Sequence, residues 1–367
     1  MILGPNRMFR GTIVAHAYAA VAKTLPALVQ RWARSGVGNA VAGRADRMWA
    51  ALFGRRNPLF QVIAITIYCV GLAIFFLCVA PHIPNRYAGM WHWLPISVTL
   101  VANMGFYAAA SAADPGTVTP DNARAACRVF PYDCLLYFRR NCDTCRLPKP
   151  ARSKHCSTCG KCVQMAEHHC VWLNNCVGLR NTRWFVGFLA TFAIVCVYGA
   201  YLASTVLLEL RHVLGLASAA AAVWDDDLGR HVALSFRSSL LYVLDSRPLL
   251  AVLLVLLVVM APAIVFFAGY QLRIVMLGYT GNEETKWLNV ADAIHDGVVF
   301  AVRESDDAPR EVIRVIEEED QPADLRPRRP ITHLRQVPNL YDRGPWRNLA
   351  FALFPPPSAP ARKTHTG

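Results

Sequence analysis

The chain has 367 residues, of which 54% are hydrophobic and 17% are charged, and its formal net charge is +13. Its length would accommodate two or three soluble domains, but long apolar runs without a charged residue exclude that organisation and indicate a membrane protein. These runs make nucleic acid a poor explanation of the positive charge, so we expect no nucleic-acid partner. The charge favours the anionic surface of the lipid bilayer as a partner.

The region before the first long apolar run, residues 1–57, is expected to be cytosolic. Its segment 11–29 is apolar but carries His16 and Lys23 and is interrupted by Pro26. This pattern predicts an amphipathic helix at the membrane interface, with an additional span as the alternative. A cleaved signal peptide is disfavoured because no clear cleavage pattern follows the run and basic residues continue after it.

Four apolar runs predict transmembrane helices, at residues 59–80, 93–113, 184–208 and 249–272. The first and the fourth contain no charged residue, and helices buried in a soluble core rarely run about 20 residues without one. The second contains Asn103 and Ser111, so a re-entrant segment is the alternative there. Together the four runs predict an all-α polytopic membrane protein.

Lysine and arginine are distributed unevenly among the connections, which orients the helices. They are abundant before the first run and in residues 114–183 and 273–367, and sparse in residues 209–248. Because cytoplasmic connections carry the excess of basic residues, both termini and the segment 114–183 are predicted to be cytosolic, and 209–248 luminal. The charged and proline-rich C-terminal region is expected to be partly disordered.

Seven of the twelve cysteines fall between Cys142 and Cys176. Disulfides are disfavoured in the cytosol, so clustered cysteine and histidine indicate a metal site. The candidate ligands are Cys142, Cys145, His155, Cys156, Cys159, Cys162, His168, His169, Cys170 and Cys176. A structural zinc ion takes four ligands. Two such sites would use eight of these ten residues and leave two for another role. The predicted fold class is therefore an all-α polytopic membrane protein with four transmembrane helices and a small cytosolic zinc-bound cysteine-rich domain between the second and the third.

Spacing alone leaves both the grouping and the role of these residues open. Neighbouring ligands could form one site after the other along the chain, or the two sites could interleave. A purely structural zinc knuckle that recruits a partner is one interpretation of the segment. The other is a reactive cysteine, because His168 lies two residues before Cys170 as a candidate base and Glu167 could orient that imidazole.

The segment resembles the cysteine-rich domain of the DHHC-type protein S-acyltransferases, the palmitoyltransferases. The family pattern is C-x2-C-x3-[KR]-P-x-R-x2-H-C-x2-C-x2-C-x4-D-H-H-C-x5-C-x4-N-x3-F, and residues 142–185 match every spacing of it. Residues 114–116 match the family's DPG motif, residues 280–283 match its TTxE motif imperfectly, and residues 341–348 are similar to its YDxGxxxN element.

The resemblance implies a set of roles for residues of this chain. It implies two interleaved structural zinc sites, one formed by Cys142, Cys145, His155 and Cys162 and the other by Cys156, Cys159, His169 and Cys176. It further implies that Cys170 attacks the thioester of a long-chain acyl-CoA such as palmitoyl-CoA, with His168 as base and Glu167 in the place of the family's aspartate. The acyl chain would lie among the spans, and Arg152 and Lys154 are candidate contacts of the CoA phosphates.

Three positions depart from the family pattern: Glu167 replaces aspartate, Val171 replaces a common proline, and Gly281 replaces the second threonine of TTxE. Because glutamate keeps the charge and the hydrogen-bonding groups, we expect an active enzyme in which Glu167→Asp keeps or raises activity. The alternative is a non-catalytic zinc-containing membrane scaffold in which Glu167 marks lost activity.

Two short stretches, KPARSKHC and TGNEETKW, resemble a fungal branch of the family. That branch acylates SNAREs and other single-span proteins at juxtamembrane cysteines in the endoplasmic reticulum. The resemblance therefore implies membrane-anchored protein substrates such as SNAREs and a location in the endomembrane system, at the endoplasmic reticulum.

Overall fold

The computed structural model describes residues 56–218, 222–225, 230–302, 312–315 and 329–356. The helix predicted at 11–29 lies outside the described residues, as does much of the C-terminal region expected to be disordered. The chain divides into two compact units. The helical unit comprises the described residues of Leu59–Ala112 and Arg183–Arg273, and the cysteine-rich unit comprises the described residues of 56–58, Ala113–Thr182 and Ile274–Gly367.

Helices and short strands alternate along the described residues. In chain order they are α1 (Leu59–Cys78), α2 (Trp93–Ala112), α3 (Ala123–Ala126), β1 (Lys154–Cys156), β2 (Lys161–Val163), β3 (His168–Cys170), β4 (Asn175–Val177), α4 (Thr182–Val213), β5 (Ala222–Asp225), β6 (Arg230–Ala233), α5 (Phe236–Ser246), α6 (Pro248–Met276), α7 (Gly281–His295), β7 (Val299–Val302), β8 (Val312–Val315), β9 (Arg329–Pro330) and α8 (Pro345–Leu353). Short 3-10 turns occupy Ala80–His82, Met90–His92 and Leu334–Gln336.

Four of the described helical segments are long and apolar enough to cross a membrane: Leu59–His82, Met90–Ala112, Thr182–Val213 and Pro248–Met276. Only 11 to 22% of their most apolar windows is buried within the protein. Exposed side chains such as Leu77 and Val101, 70% and 73% exposed, would be unfavourable in water and suit a lipid surround. The predicted class, a mainly helical multi-pass membrane protein, is confirmed.

The helical unit packs around small and branched side chains. Val79, Leu202, Val206 and Val243 are almost fully buried in one cluster. Asn103 is also buried, and its side-chain amide donates to Thr191 Oγ1 at 3.1 Å, which joins α2 to α4. A polar residue in a span is satisfied inside the bundle in this way, because lipid offers it no partner.

The cysteine-rich unit contains two antiparallel hairpins, β1–β2 and β3–β4, made of strands of three residues each. Isolated hairpins of this length have too little core to be stable. Their cysteines and histidines form two clusters that could hold metal ions, and bound metal would stabilise hairpins of this size. Helix α7 and the strands β7, β8 and β9 form a further small core around Trp287, Val299 and Ile331.

Candidate active site and metal centres

The register of the first hairpin assigns adjacent residues to different clusters. In β1 and β2, His155 is paired with Cys162, and Cys156 is paired with Lys161. Successive side chains of a strand point to opposite faces, so His155 and Cys156 cannot serve the same small site. This excludes the arrangement in which neighbouring ligands group together along the chain.

The first cluster consists of Cys142, Cys145, His155 and Cys162, whose ligand atoms all lie within 4.8 Å of one another. The sulfur atoms of Cys142, Cys145 and Cys162 lie 3.7, 3.3 and 3.9 Å, respectively, from His155 Nδ1. The CxxC turn brings its two cysteines together, and the Cys145 amide donates to the Cys142 sulfur at 3.5 Å. This cluster could hold a metal ion.

The second cluster consists of Cys156, Cys159, His169 and Cys176, again within 4.8 Å. The sulfur atoms of these cysteines lie 3.8, 3.3 and 3.6 Å from His169 Nδ1. The cross-strand pair His169 and Cys176 comes from the β3–β4 hairpin, and Cys156 and Cys159 come from the first hairpin and its turn. The two clusters therefore interleave along the chain, as the resemblance implies.

The second hairpin sorts the residues Glu167-His168-His169-Cys170 by strand alternation. His169 lies on the face that carries Cys176 and the metal cluster. His168 and Cys170, one residue before and one after it, lie on the opposite face. His168 and Cys170 are the two candidate ligands that neither cluster uses. They thus share one side of the strand, away from the second cluster.

Cys170 lies at the end of β3 and is 9% exposed. Burial raises the pKa of its thiol, while hydrogen bonds donated by the backbone amides of Leu173 and Trp172 act in the opposite direction. Burial and the neighbouring His169 lower the pKa of His168 to about 4. At neutral pH the pair therefore rests as a thiol and a neutral imidazole, and a neutral imidazole is the form that can accept the thiol proton.

Glu167 is 5% exposed, and its Oε2 accepts a hydrogen bond from the Gly281 amide at 2.6 Å. Burial raises the pKa of Glu167 to about 7, although this hydrogen bond lowers it. Its other oxygen, Oε1, is buried and has no hydrogen-bond partner among the described residues. The carboxylate is thus held by one oxygen, next in the chain to His168.

The amide that donates to Glu167 belongs to the first turn of α7. Two reciprocal hydrogen bonds cap this start of the helix. The Thr280 side chain accepts a hydrogen bond from the Glu283 amide at 3.2 Å, and Glu283 Oε2 accepts one from the Thr280 amide at 2.9 Å. This reciprocal capping box satisfies two backbone donors at the helix start. Thr280 and Glu283, the two residues that match the TTxE motif, therefore fix where α7 begins.

Glu283 is also one half of a buried ion pair with Arg152. The two side chains are 1% and 3% exposed, and the guanidinium donates to both carboxylate oxygens, at 2.7 Å from Nε and 2.6 Å from Nη2. Nη2 also donates to the Gly278 carbonyl at 2.9 Å. The rings of Phe130 and Tyr341 lie 5.0 and 4.8 Å from the guanidinium carbon, a cation–π arrangement.

This environment corrects the expected role of Arg152. A guanidinium that is enclosed by two aromatic rings and bonded to Glu283 is not accessible to the phosphates of CoA, so the role of Arg152 is structural. Lys154, by contrast, is exposed on β1, and its contact with CoA phosphates stays a prediction.

We expect Glu283→Gln to destabilise the protein by about 3–5 kcal/mol, because it leaves the Arg152 charge buried without its partner. Thermal unfolding of the detergent-purified protein, followed together with its metal content, measures the change. The same substitution at Glu209 is the matched control. Glu209 and Arg86, whose side chains are 22% and 62% exposed, form a partly exposed pair with a 3.9 Å separation, and the expected effect there is below about 1 kcal/mol. Equal effects at the two positions would contradict a special role for the buried pair.

The YDxGxxxN residues complete the surroundings of Arg152. Tyr341 donates a hydrogen bond from its hydroxyl to the Pro131 carbonyl at 3.0 Å. The Asn348 side chain donates to the Met276 carbonyl at 2.9 Å and to Asp342 Oδ1 at 2.7 Å. These contacts tie α8 to the end of α6 and to the residues that enclose Arg152.

The loop after β4 depends on a close backbone approach at Gly178. A Cβ atom there would lie 2.7 Å from the Pro115 carbonyl oxygen and 2.8 Å from the Gln164 carbonyl oxygen, so a side chain does not fit. Asn181, fully buried, accepts a hydrogen bond from the Gly178 amide and donates one to the Cys176 carbonyl. This loop holds the second hairpin against the DPG segment.

Sequence reasoning missed the roles of Arg152, Glu283, Gly178 and Gly281 in this arrangement. The available signal was indirect: Arg152, Glu283 and Gly281 stand at positions of the family motifs, but a motif position does not identify a contact partner. At Gly178 the sequence shows only a glycine two residues after Cys176, which does not indicate a close backbone approach.

Comparisons with known proteins agree with this geometry. The family model described as DHHC palmitoyltransferase matches residues 136–288. Palmitoyltransferase swf1 of Schizosaccharomyces pombe is 29% identical over 302 residues, which cover 82% of this chain and 77% of that protein. Palmitoyltransferase ZDHHC4 of Mus musculus is 30% identical over 237 residues, covering 64% of this chain and 67% of that protein. Palmitoyltransferase SWF1 of Saccharomyces cerevisiae is 28% identical over 273 residues, covering 68% and 70%.

Proposed function

Since the chain belongs to the DHHC palmitoyltransferase family and is a protein S-acyltransferase, we propose that it transfers long-chain acyl groups through an acyl-enzyme at Cys170. The observation that carries this proposal is the alternation of β3. His169 joins Cys176 in a metal cluster, while His168 and Cys170 share the other face of the strand. A nucleophile and its base are thereby placed together and are spared from metal binding.

In the first step, His168 takes the proton of the Cys170 thiol and the sulfur attacks the carbonyl carbon of the acyl-CoA thioester. The amides of Trp172 and Leu173, which donate to the sulfur, stabilise the thiolate as it forms. The carbon–sulfur bond to CoA breaks, and the departing CoA thiolate recovers the proton from His168. The products are free CoA and a thioester on Cys170.

In the second step, a cysteine of the protein substrate enters the site. His168 takes the proton of that thiol, whose sulfur attacks the thioester on Cys170. The acyl group passes to the substrate, and the Cys170 thiolate recovers the proton from His168. Glu167 stabilises the protonated imidazole in both steps, in the manner of the third group of a triad. Lys154 is the proposed contact for the CoA phosphates.

Zinc is the proposed occupant of both clusters. A tetrahedral zinc ion with one nitrogen and three sulfur ligands places nitrogen and sulfur about 3.6 Å apart, and the separations in the two clusters run from 3.3 to 3.9 Å. Four protein ligands close the coordination shell, so such ions stabilise the fold and hold the hairpins.

The test is to incubate the detergent-purified protein with labelled palmitoyl-CoA and to map the adduct by peptide mass spectrometry. We expect about one acyl group per chain, sensitive to neutral hydroxylamine, on the peptide that contains Cys170. An adduct confined to other cysteines, such as Cys127 or Cys134, would contradict the proposal. The absence of any adduct would favour the non-catalytic zinc-containing scaffold instead.

We further propose that the substrates are membrane-anchored proteins with juxtamembrane cysteines, SNAREs among them, and that the protein works in the endoplasmic reticulum with its cysteine-rich unit and both termini in the cytosol. The similarity of KPARSKHC and TGNEETKW to the fungal branch supports the substrates and the compartment. The alternation of lysine- and arginine-rich connections supports the orientation.

A further inference from the structure

We infer that Gly281 is a positioning residue for Glu167: its backbone amide holds the carboxylate, and its missing side chain leaves room for an acid one methylene longer than the aspartate of the family pattern. This inference rests on the proposed role of Glu167 beside His168 and extends it to a second residue, 114 positions away in the chain. It also joins two of the three departures from the family pattern into one feature.

The contact itself is short and directional. The Gly281 amide donates to Glu167 Oε2 at 2.6 Å, a short separation for a backbone amide donor. Gly281 is the first residue of α7, where backbone amides lack partners within the helix and the helix dipole favours negative charge. The side chains of Thr280 and Glu283 accept hydrogen bonds from each other's backbone amides. The Gly281 amide donates to Glu167 instead.

The glycine matters at this position for the space that it leaves and not for its backbone conformation. Gly281 is not among the described glycines with positive φ, so other residues could adopt its backbone geometry. A Cβ atom at this position, however, would lie only 3.3 Å from Glu167 Oε2, closer than such contacts ordinarily are. Glycine is a poor helix former, and the crowding against Glu167 is what explains its presence at this position.

The same geometry predicts that the two positions compensate each other. Shortening Glu167 to aspartate withdraws the carboxylate by about 1.5 Å, one carbon–carbon bond, which breaks the hydrogen bond to the Gly281 amide. Adding threonine at position 281 crowds the glutamate. When both changes are made, the threonine side chain occupies the vacated space and its hydroxyl can donate to the shorter acid.

Holding Oε2 on α7 has a consequence for the other oxygen of Glu167. Oε1 is buried and has no hydrogen-bond partner among the described residues, and the fixed position of Oε2 determines where it lies. The role proposed for this acceptor is to stabilise the imidazole of His168, the next residue in the chain, once that imidazole has taken a proton. Gly281 thus acts on the reaction through Glu167 without touching the reacting atoms.

The experiment is a double-mutant cycle with labelled palmitoyl-CoA, using the full chain purified in detergent. The four proteins are the wild type, Glu167→Asp, Gly281→Thr and the variant with both changes. The initial rate of Cys170 acylation is measured over a range of palmitoyl-CoA concentrations. We expect each single change to lower the maximal rate about tenfold, and the double variant to return within about threefold of wild type, where independent effects would multiply to about a hundredfold. For Glu167→Asp this replaces the expectation from the sequence that the change keeps or raises activity, because the sequence does not show the hydrogen bond from Gly281 that the shorter acid loses.

Zinc content separates positioning from folding. We expect all four proteins to keep the same zinc content and a similar palmitoyl-CoA concentration for half-maximal rate, so that the loss and the rescue appear in the maximal rate. A double variant no better than the single variants, in rate or in zinc content, would overturn the inference, and so would single variants with the rate of wild type. Single variants that lose zinc, even if the double variant restored it, would show that the contact supports folding and would overturn the positioning role.

Two further proteins serve as matched controls. Glu209→Asp removes the same methylene from a glutamate of the helical unit, and Gly269→Thr adds the same side chain where a Cβ would meet nothing within 4 Å. Both are expected to acylate at the wild-type rate. Cys170→Ser tests the proposed function separately: labelling of that variant at the wild-type level would refute the acyl-enzyme, whereas failed rescue with intact Cys170 labelling refutes only the role of Gly281.

Discussion

Cys170→Ser is expected to lower acyl transfer by about a thousandfold or more and to leave no hydroxylamine-sensitive adduct, because the nucleophile is removed. A serine hydroxyl ionises far less readily than a thiol, and the weakly basic His168, with a pKa lowered to about 4, cannot compensate for that. Cys170 lies outside both metal clusters, so the variant is expected to keep its zinc. Acyl transfer to a cysteine peptide and zinc content are the two measurements.

The control for this prediction is Cys134→Ser, which removes a thiol of the same unit that lies outside both metal clusters. It is expected to label and transfer like the wild type. Equal labelling of the Cys170→Ser variant and the wild type would remove the acyl-enzyme from the mechanism. Loss of zinc in Cys170→Ser would show instead that Cys170 supports the metal cluster.

The membrane helices were predictable because hydropathy is a local property of the chain. Their ends were less so: α4 continues to Val213, five residues past the end of the run predicted at 184–208. Hydropathy marks the part of a helix that is compatible with lipid, whereas the helix continues for as long as backbone hydrogen bonds form. Glu209 and Arg211 end the apolar run and remain helical.

The grouping of the metal ligands could not be derived from spacing, because it depends on strand register. His155 and Cys156 are neighbours in sequence, yet they enter different clusters. Only the pairing of β1 with β2 shows that they lie on opposite faces. The grouping that the family resemblance implies is the one in which the side chains cluster in the structure, and the register gives the physical reason for it.

The role of Arg152 could not be predicted from the residues around it. A cationic residue in a polar, lysine-rich stretch suggests a solvent-exposed charge, and we expected it to meet CoA phosphates. Its actual partner, Glu283, lies 131 residues further along the chain. A buried ion pair formed over such a separation leaves no local pattern in the sequence. For the same reason the contact between Glu167 and Gly281 became visible only in the folded chain.

The adjacent histidines are expected to respond in opposite ways to alanine. His169→Ala should lower the zinc content from about two ions per chain to about one, because it removes one of four ligands from a closed site. His168→Ala should keep both ions and lower Cys170 acylation by about a hundredfold to ten-thousandfold, the usual contribution of a general base. Metal analysis and acylation rates measured on the same preparations decide between these outcomes.

Strand alternation makes this pair a stringent comparison, since the two substitutions remove the same side chain at neighbouring positions of β3. His155→Ala, in the first cluster, is expected to behave like His169→Ala in zinc content. His295→Ala, whose side chain is 80% exposed, should change neither quantity. Zinc loss in His168→Ala with zinc retained in His169→Ala would reverse the assignment of the two faces. If both variants lost zinc equally, the metal cluster would extend to both histidines, and Cys170 would need a different base.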